Sequence, residues 1–342
     1  MLKKKWMLLA VICLTALTLS ACGSSKNGSA DTGASATKTN ESSGSASSES
    51  ETISFTMGVE PWIGYGPWWI AAEQGIFKKN GLDVTVENFN QDADINAAFA
   101  SKNIQAANIA THTAIKMVGN NDLALKGIVF LDQSEKADAV LASSKIGSVA
   151  DLKGKKVAFE EGTTSDLLFR QALAENNIKP EEVTFVYMPA SDAGLALLSG
   201  KVDAAVTYEP YISTIKSKGD VKILYSGENS PGLISDMTVI DAEFLSKHPD
   251  VKGKLQKVWD ETLTYWKANQ EEGNKILAEK SGIPAEELPV ILEGLQFFTV
   301  ADQQQMADSG ELLKAAENIQ GILTNQTVLK KQVDLKSMLQ IK

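Results

Sequence analysis

The 342-residue chain is predicted to fold as a two-lobed α/β protein, each lobe a mixed, mostly parallel sheet flanked by helices, with a helical C-terminal region. Three observations predict it. From Thr52 onward, short runs rich in branched and aromatic residues alternate with stretches of helical pattern, as expected of strands joined by crossover helices. The alternation starts afresh near Lys156, which gives two sheets rather than one long one. From Val251 the chain reads as largely helical, interrupted at Ser281-Gly282-Ile283-Pro284.

Taken in order, residues 53–59 read as the first strand. Residues 67–79 read as a helix, with Pro67 at the first helical position, where its missing N–H costs nothing, and Asn80-Gly81 as the stop. Next come a strand over 83–89, a helix over 93–101, a strand over 106–110 leading into a helix over 111–118, a strand over 125–131 and an extended piece over 139–142. The second series has strands over 156–159, 184–188 and 203–208, with helices over 165–176 and 193–199 between them. Crossings between the lobes are expected near 138–143 and 225–237, a pair of segments that can bend together as a hinge.

The N-terminus has the layout of a secretory signal: Lys3, Lys4 and Lys5, then a dozen or so mostly apolar residues from Trp6. That run falls short of the roughly 18 apolar residues that span a bilayer. It ends in Leu19-Ser20-Ala21-Cys22, which resembles the lipobox of bacterial lipoproteins. The resemblance implies a signal peptide over 1–21 and a diacylated Cys22 as the mature N-terminus. The only cysteines are Cys13 and Cys22, so the mature fold has no thiol left for a disulfide, a thiolate metal site or a nucleophile. Losing the leader removes three lysines and leaves 30 basic against 43 acidic side chains. A surface that acidic repels phosphate backbones, so nucleic acid is not an expected partner. Residues 22–51 after the cysteine are mostly Gly, Ser, Ala, Thr, Asn and acidic residues, too polar to offset the entropy of ordering; they are expected to be a disordered tether spanning about 30 Å.

Three segments carry a wider resemblance: Gly64-Tyr65-Gly66-Pro67 with Ile70-Ala71-Ala72-Glu73-Gln74-Gly75-Ile76-Phe77, Asp151-Leu152-Lys153-Gly154-Lys155-Lys156-Val157-Ala158, and Asp203-Ala204-Ala205-Val206-Thr207-Tyr208-Glu209-Pro210-Tyr211. In these the chain resembles the solute-binding proteins of ABC transporters for nitrate, sulfonates, taurine and thiamine-pyrimidine precursors. The resemblance implies a type II periplasmic-binding-protein fold, with lobe 1 over 52–137 and 235–342, lobe 2 over 138–234, and a ligand in the cleft at the C-terminal ends of the strands. The Trp-rich turn over 60–69 departs from the commoner family pattern and looks closer to binding proteins encoded beside urea carboxylase or guanidine systems.

Candidate ligand contacts are Trp62, Tyr65, Trp68, Gln91, Thr111, His112, Asp132, Thr163, Thr164, Glu209 and Asp236. Trp62, Tyr65, Trp68 and Trp69 crowd the turn between the first strand and the first helix. Adjacent helical residues point about 100° apart, so one of Trp68 and Trp69 is expected to pack inward and the other to reach the cleft. Asp132 sits at a strand end and Glu209 in a matched segment; Glu160, Asp166 and Asp236 also lie near the expected cleft. Gly162-Thr163-Thr164-Ser165 and Thr111-His112-Thr113 open helices, where hydroxyls and free backbone donors serve equally as caps or as ligand contacts.

Two histidines, His112 and His248, cannot make a multi-histidine metal site, and no nucleotide loop, nucleophile elbow or zinc-binding helix is present. The sequence implies no cofactor and no metal; the remaining enzymatic reading is a carboxylate pair in a cleft, as in a glycosidase. The expected role is capture of a small molecule by hinge closure for an ABC permease and ATPase, by a monomer held on the outer face of the membrane through its lipid. A sensor or adhesin lipoprotein is the alternative from another class. As for the ligand, the single arginine, Arg170, lies inside a helix, while several carboxylates converge on the cleft. A carboxylate about 4 Å from an anion costs on the order of 4 kcal/mol at an effective dielectric of 20. A nitrogen-rich planar or cationic solute is therefore expected: a guanidinium, urea-like, amine or pyrimidine compound. The alternative is a sulfonate, taurine or nitrate anion held by the two helix starts.

Overall fold

The structure, a computed structural model, describes residues 52–89 and 92–342. The leader, Cys22, the tether and Gln91 lie outside the described residues. Along the chain run β1 (Ile53–Val59), α1 (Gly66–Glu73), α2 (Ile76–Lys79), β2 (Leu82–Asn88), α3 (Asp92–Ala100), β3 (Ala106–Ala110), α4 (Thr111–Asn121), β4 (Leu125–Ser134) and β5 (Asp138–Ser143). Then come β6 (Lys156–Phe159), α5 (Thr164–Glu175), β7 (Thr184–Tyr187), α6 (Ala190–Leu198), β8 (Ala204–Tyr208), α7 (Tyr211–Lys218) and β9 (Val221–Ser226). The rest is β10 (Ser235–Asp241), α8 (Ala242–Lys247), α9 (Val251–Ala268), α10 (Gln270–Ser281), α11 (Leu288–Glu293), β11 (Leu295–Phe297), α12 (Val300–Ser309), α13 (Glu311–Asn325) and α14 (Leu335–Met338).

The strands form two mixed α/β sheets, ordered β11-β4-β10-β3-β1-β2 and β7-β6-β8-β5-β9. In the first, β1 pairs in parallel with β2 and β3, and β10 lies antiparallel between β3 and β4. In the second, β6 is parallel to β7 and β8, while β5 is antiparallel to β8 and β9. β10 has no counterpart among the expected strands because four of its seven residues, Ser235, Asp236, Thr238 and Asp241, are polar. It is nevertheless buried throughout. Thr238 donates to Asn108 Oδ1 at 2.6 Å and Asn108 Nδ2 to the Gly58 carbonyl at 3.0 Å, a polar chain that satisfies these groups across three strands.

The single helix expected over 67–79 is two. Gly75, at φ +64°, takes the left-handed conformation that ends α1 and starts α2. α1 is apolar almost all round and is packed by α9 and α10, so close that a Cβ on Gly66 would fall 2.0 Å from Leu277 Cδ2. Both tryptophans of α1 therefore pack inward. Trp68 is fully buried between Phe77 and Trp259, at ring separations of 5.7 and 5.0 Å. Trp69 is buried with its Nε1 donating to Asn88 Oδ1 at 3.0 Å. The expected cleft-facing partner of this pair is absent, because residues 66–71 of α1, which include both tryptophans, are buried and the helix is exposed only at Ala72 and Glu73.

The chain leaves the first sheet at 135–137, earlier than expected because Asp138 already belongs to β5, and returns over 227–234. These connections are laced together. The amides of Glu135, Lys136 and Ala137 all donate to the Gly294 carbonyl, and the Glu228 amide donates to the Glu135 carbonyl at 2.8 Å. Gly227 approaches so closely that a Cβ there would lie 1.9 Å from the Ser134 carbonyl oxygen. One apolar cluster is continuous from Ile115 and Met237 beside the first sheet, through Leu233, Ile234 and Ile319, to Phe159 and Leu168 of the second.

Candidate functional site

One edge of the first sheet gathers the ends of β1, β3 and β4 and the start of β10; one edge of the second gathers the ends of β6, β7, β8 and β9 and the start of β5. These edges meet. Trp62, after β1, packs edge-on against Tyr208, at the end of β8, with ring centroids 6.0 Å apart. Lys116 of α4 donates from Nζ to the Gly162 carbonyl ahead of α5 at 2.7 Å.

At the centre lie three aspartates. Asp132 and Asp236 are register partners across β4 and β10. Asp236 is held by two donors, Trp62 Nε1 to Oδ2 at 3.1 Å and Tyr65 OH to Oδ1 at 3.0 Å. Asp132 is fully buried, and neither of its oxygens meets a protein donor. Gly64 lets the turn close over it: a Cβ there would lie 2.6 Å from both Asp132 Oδ2 and Trp62 Nε1. Burial holds the Asp132 carboxyl well above the ordinary carboxylate range, and the charge of Asp236, a hydrogen bond shared with it, and Asp138 push the same way. Asp138 is pushed up to about 7, first by burial; hydrogen bonds from Ser134 and Thr164 oppose the shift and the Asp236 charge adds to it.

The other groups are neutral or already committed. Burial, helped by Lys116, brings the His112 imidazole down to about 3, so it is uncharged near neutral pH; a hydrogen bond to the Gly162 backbone opposes the shift. Burial, then Tyr211 and nearby carboxylates, raises the Tyr208 phenol. Arg170 pairs with Asp166 at 2.5 Å and lies over the Phe185 ring. Lys136 pairs with Glu228 at 3.0 Å on the exposed connection. Among the described residues, no group of three or more histidine, cysteine, aspartate or glutamate side chains could hold a metal ion.

Of the expected contacts, the structure brings together Trp62, Tyr65, Thr111, His112, Asp132, Thr164 and Asp236; Thr111 joins through its hydroxyl, 2.9 Å from Ser235 Oγ. Three are used otherwise. Trp68 belongs to the core, as described above. Thr163 caps α5, accepting from the Ser165 amide and donating to the Glu160 carbonyl. Glu209 accepts from both the amide and the hydroxyl of Ser213, at 3.0 Å each, and so serves the first turn of α7. Sequence reasoning missed Asp138, Tyr208 and Ser235; Ser165, noted there as a helix-start hydroxyl, is buried with no partner for its hydroxyl. Tyr208 stood beside Glu209 in a segment already singled out, and Asp138 one residue before an expected extended piece. Two cavities, of about 170 and 800 Å³, lie at the opposite edges of the two sheets.

Comparison with known proteins places the chain. Residues 62–273 match the family described as NMT1/THI5 like. A protein of Brucella abortus described as a binding protein is 28% identical over 213 residues, 61% of this chain and 66% of the relative, a little under two thirds of its length. The taurine-binding periplasmic protein of Escherichia coli is 25% identical over 71% of this chain and 78% of its own. Among solved structures, the periplasmic aliphatic sulphonate binding protein SsuA of Escherichia coli superposes with a TM-score of 0.70 at 21% identity, covering 84% of this chain and 97% of that one. The alkanesulfonate-binding SsuA of Xanthomonas axonopodis, bound to MOPS, gives 0.66 at 19% identity over 84% and 98%. The chain therefore belongs to the NMT1/THI5 like family and has the fold of the periplasmic binding proteins.

Proposed function

We propose that this protein is an extracytoplasmic receptor that closes on a small solute between its two sheets and delivers it to the permease and ATPase of an ABC importer. In this reading residues 52–137 and 235–342 form one lobe and 138–234 the other, with the laced connections at 135–137 and 227–234 as the hinge. A lipid on Cys22 and the tether over 22–51 hold a monomer at the outer face of the membrane.

The ligand is a small nitrogen-rich planar or cationic solute, such as a guanidinium, urea-like, amine or pyrimidine compound. The observation that carries this is Asp132, buried and without a protein donor, beside Asp236 and Asp138. A net hydrogen bond to a charged partner contributes about 1.5–3 kcal/mol, and the faces of Trp62 and Tyr208 offer cation–π contact of about 0.5–2 kcal/mol each.

A sulfonate, taurine or nitrate ligand is the second reading. It is favoured by the taurine and sulfonate receptors among the relatives and by the unpartnered Ser165 hydroxyl at the start of α5. A thermal-shift panel of guanidinium, urea, amines, pyrimidines, taurine, alkanesulfonates and nitrate separates the two. A specific rise with a nitrogen compound is expected; a rise with sulfonate or nitrate alone would replace the first reading by the second.

A further inference from the structure

The two central aspartates are chemically unequal. Asp236 has a donor on each oxygen, which favours its ionised form; Asp132 has none. Two ionised carboxylates facing each other as register partners in a buried site repel strongly, so one of them holds a proton, and the missing donors assign it to Asp132. The titratable groups around the pair come from β5, the turn after β1, β8 and α4. β5 brings Asp138, and β8 brings Tyr208, whose phenol stays protonated with Glu160, after β6, and Glu60, in the turn after β1, near it. From α4 come His112, uncharged near neutral pH, and Lys116, whose ammonium is directed to the Gly162 carbonyl.

We infer that the Asp132–Asp236 pair selects for positive charge by holding one proton in the unliganded site and releasing it to solvent as a cation takes its place. Cation capture is then proton-linked. The inference rests on the cationic reading of the ligand. It also explains how a buried carboxylate pair is tolerated without a cation: the site carries one negative charge fewer until the ligand supplies the compensation.

The test is titration calorimetry with guanidinium and methylammonium as cationic probes and methanesulfonate as the anionic one, each in phosphate and in Tris. The two buffers differ in ionisation heat, so the difference in binding heat counts protons. Release of about one proton per cation is expected, with affinity rising about tenfold per pH unit below the titration of the pair. Asp132→Asn should lose both the release and most of the affinity while melting no lower than the wild type at neutral pH. Cation binding with equal heats in both buffers would overturn the linkage and leave the cationic reading standing. Binding of methanesulfonate alone would overturn the cationic reading, and this inference with it.

Discussion

Trp62 and Tyr208 meet edge-on, 6.0 Å between ring centroids, and in doing so join the turn after β1 to the end of β8 in the other sheet. Such a pair contributes about 0.5–1.5 kcal/mol beyond its buried area. Because Trp62 also donates to Asp236, it links the meeting of the sheets to the acidic centre. Trp62→Ala is expected to weaken solute binding at least several-fold while barely moving the melting temperature. Tyr208→Phe keeps the ring and should bind nearly as the wild type does. Calorimetric titration of both variants against the best compound of the panel checks this.

Trp68 should behave in the opposite way. Fully buried among Phe77 and Trp259, it is a core residue. Trp68→Ala is expected to cost about 3–5 kcal/mol of stability in a urea melt, with the affinity of the remaining folded protein close to that of the wild type.

The buried His112 and Asp138 give stability opposing pH dependences. His112 titrates near 3 in the fold against an ordinary 6.5, so the unfolded chain binds more protons in that interval and stability falls as pH falls through it. Asp138 titrates near 7 against an ordinary 3.8, so the folded chain binds more protons there and stability falls as pH rises through it. Relative to the wild type, His112→Gln should gain stability as pH drops below 6.5, and Asp138→Asn should gain it as pH rises from 4 to 7. Each slope is at most about 1.4 kcal/mol per pH unit. Denaturant melts at pH 4.5, 5.5, 6.5 and 7.5 would read both.

The proposed lipid on Cys22 is tested separately. Cys22→Ala should move the protein from the membrane fraction to the medium or periplasm. Unchanged retention in the membrane fraction would show that something other than this cysteine holds it there.

The sequence reveals the fold where local signals suffice. Strand and helix alternation places β1, β3 and β6 within a residue or so of their observed limits, and the matched segments point to the site-bearing ends of β1 and β8. It is silent where pairing over long range decides. β10 carries too many polar residues to read as a central strand, yet distant groups satisfy them: Asn108 of β3 for Thr238, Thr111 of α4 for Ser235, and Trp62 and Tyr65 for Asp236. β11, with only three residues, is defined by β4 alone. Within the site, Trp62, Tyr65, Asp132 and Asp236 are legible as aromatic or acidic residues near strand ends. Periodicity cannot tell that both Trp68 and Trp69 are enclosed, because that depends on α9 and α10, some 180 residues further along the chain. Nor can it tell that Glu209 is engaged by Ser213 while Asp132 has no donor.

The central claim is that solute binds where the two sheet edges meet, and hydrogen–deuterium exchange with a saturating panel ligand tests it most directly. The account predicts joint protection of both sheets' edges: the segments around Trp62 to Gly66, Ala110 to His112, Asp132 to Asp138 and Ser235 with Asp236, together with Glu160 to Ser165 and Thr207 to Glu209. Protection confined to one sheet, or to the groove of about 800 Å³ lined by Lys145, Asp151, Lys155 and Asp203 at the opposite edge, would contradict it.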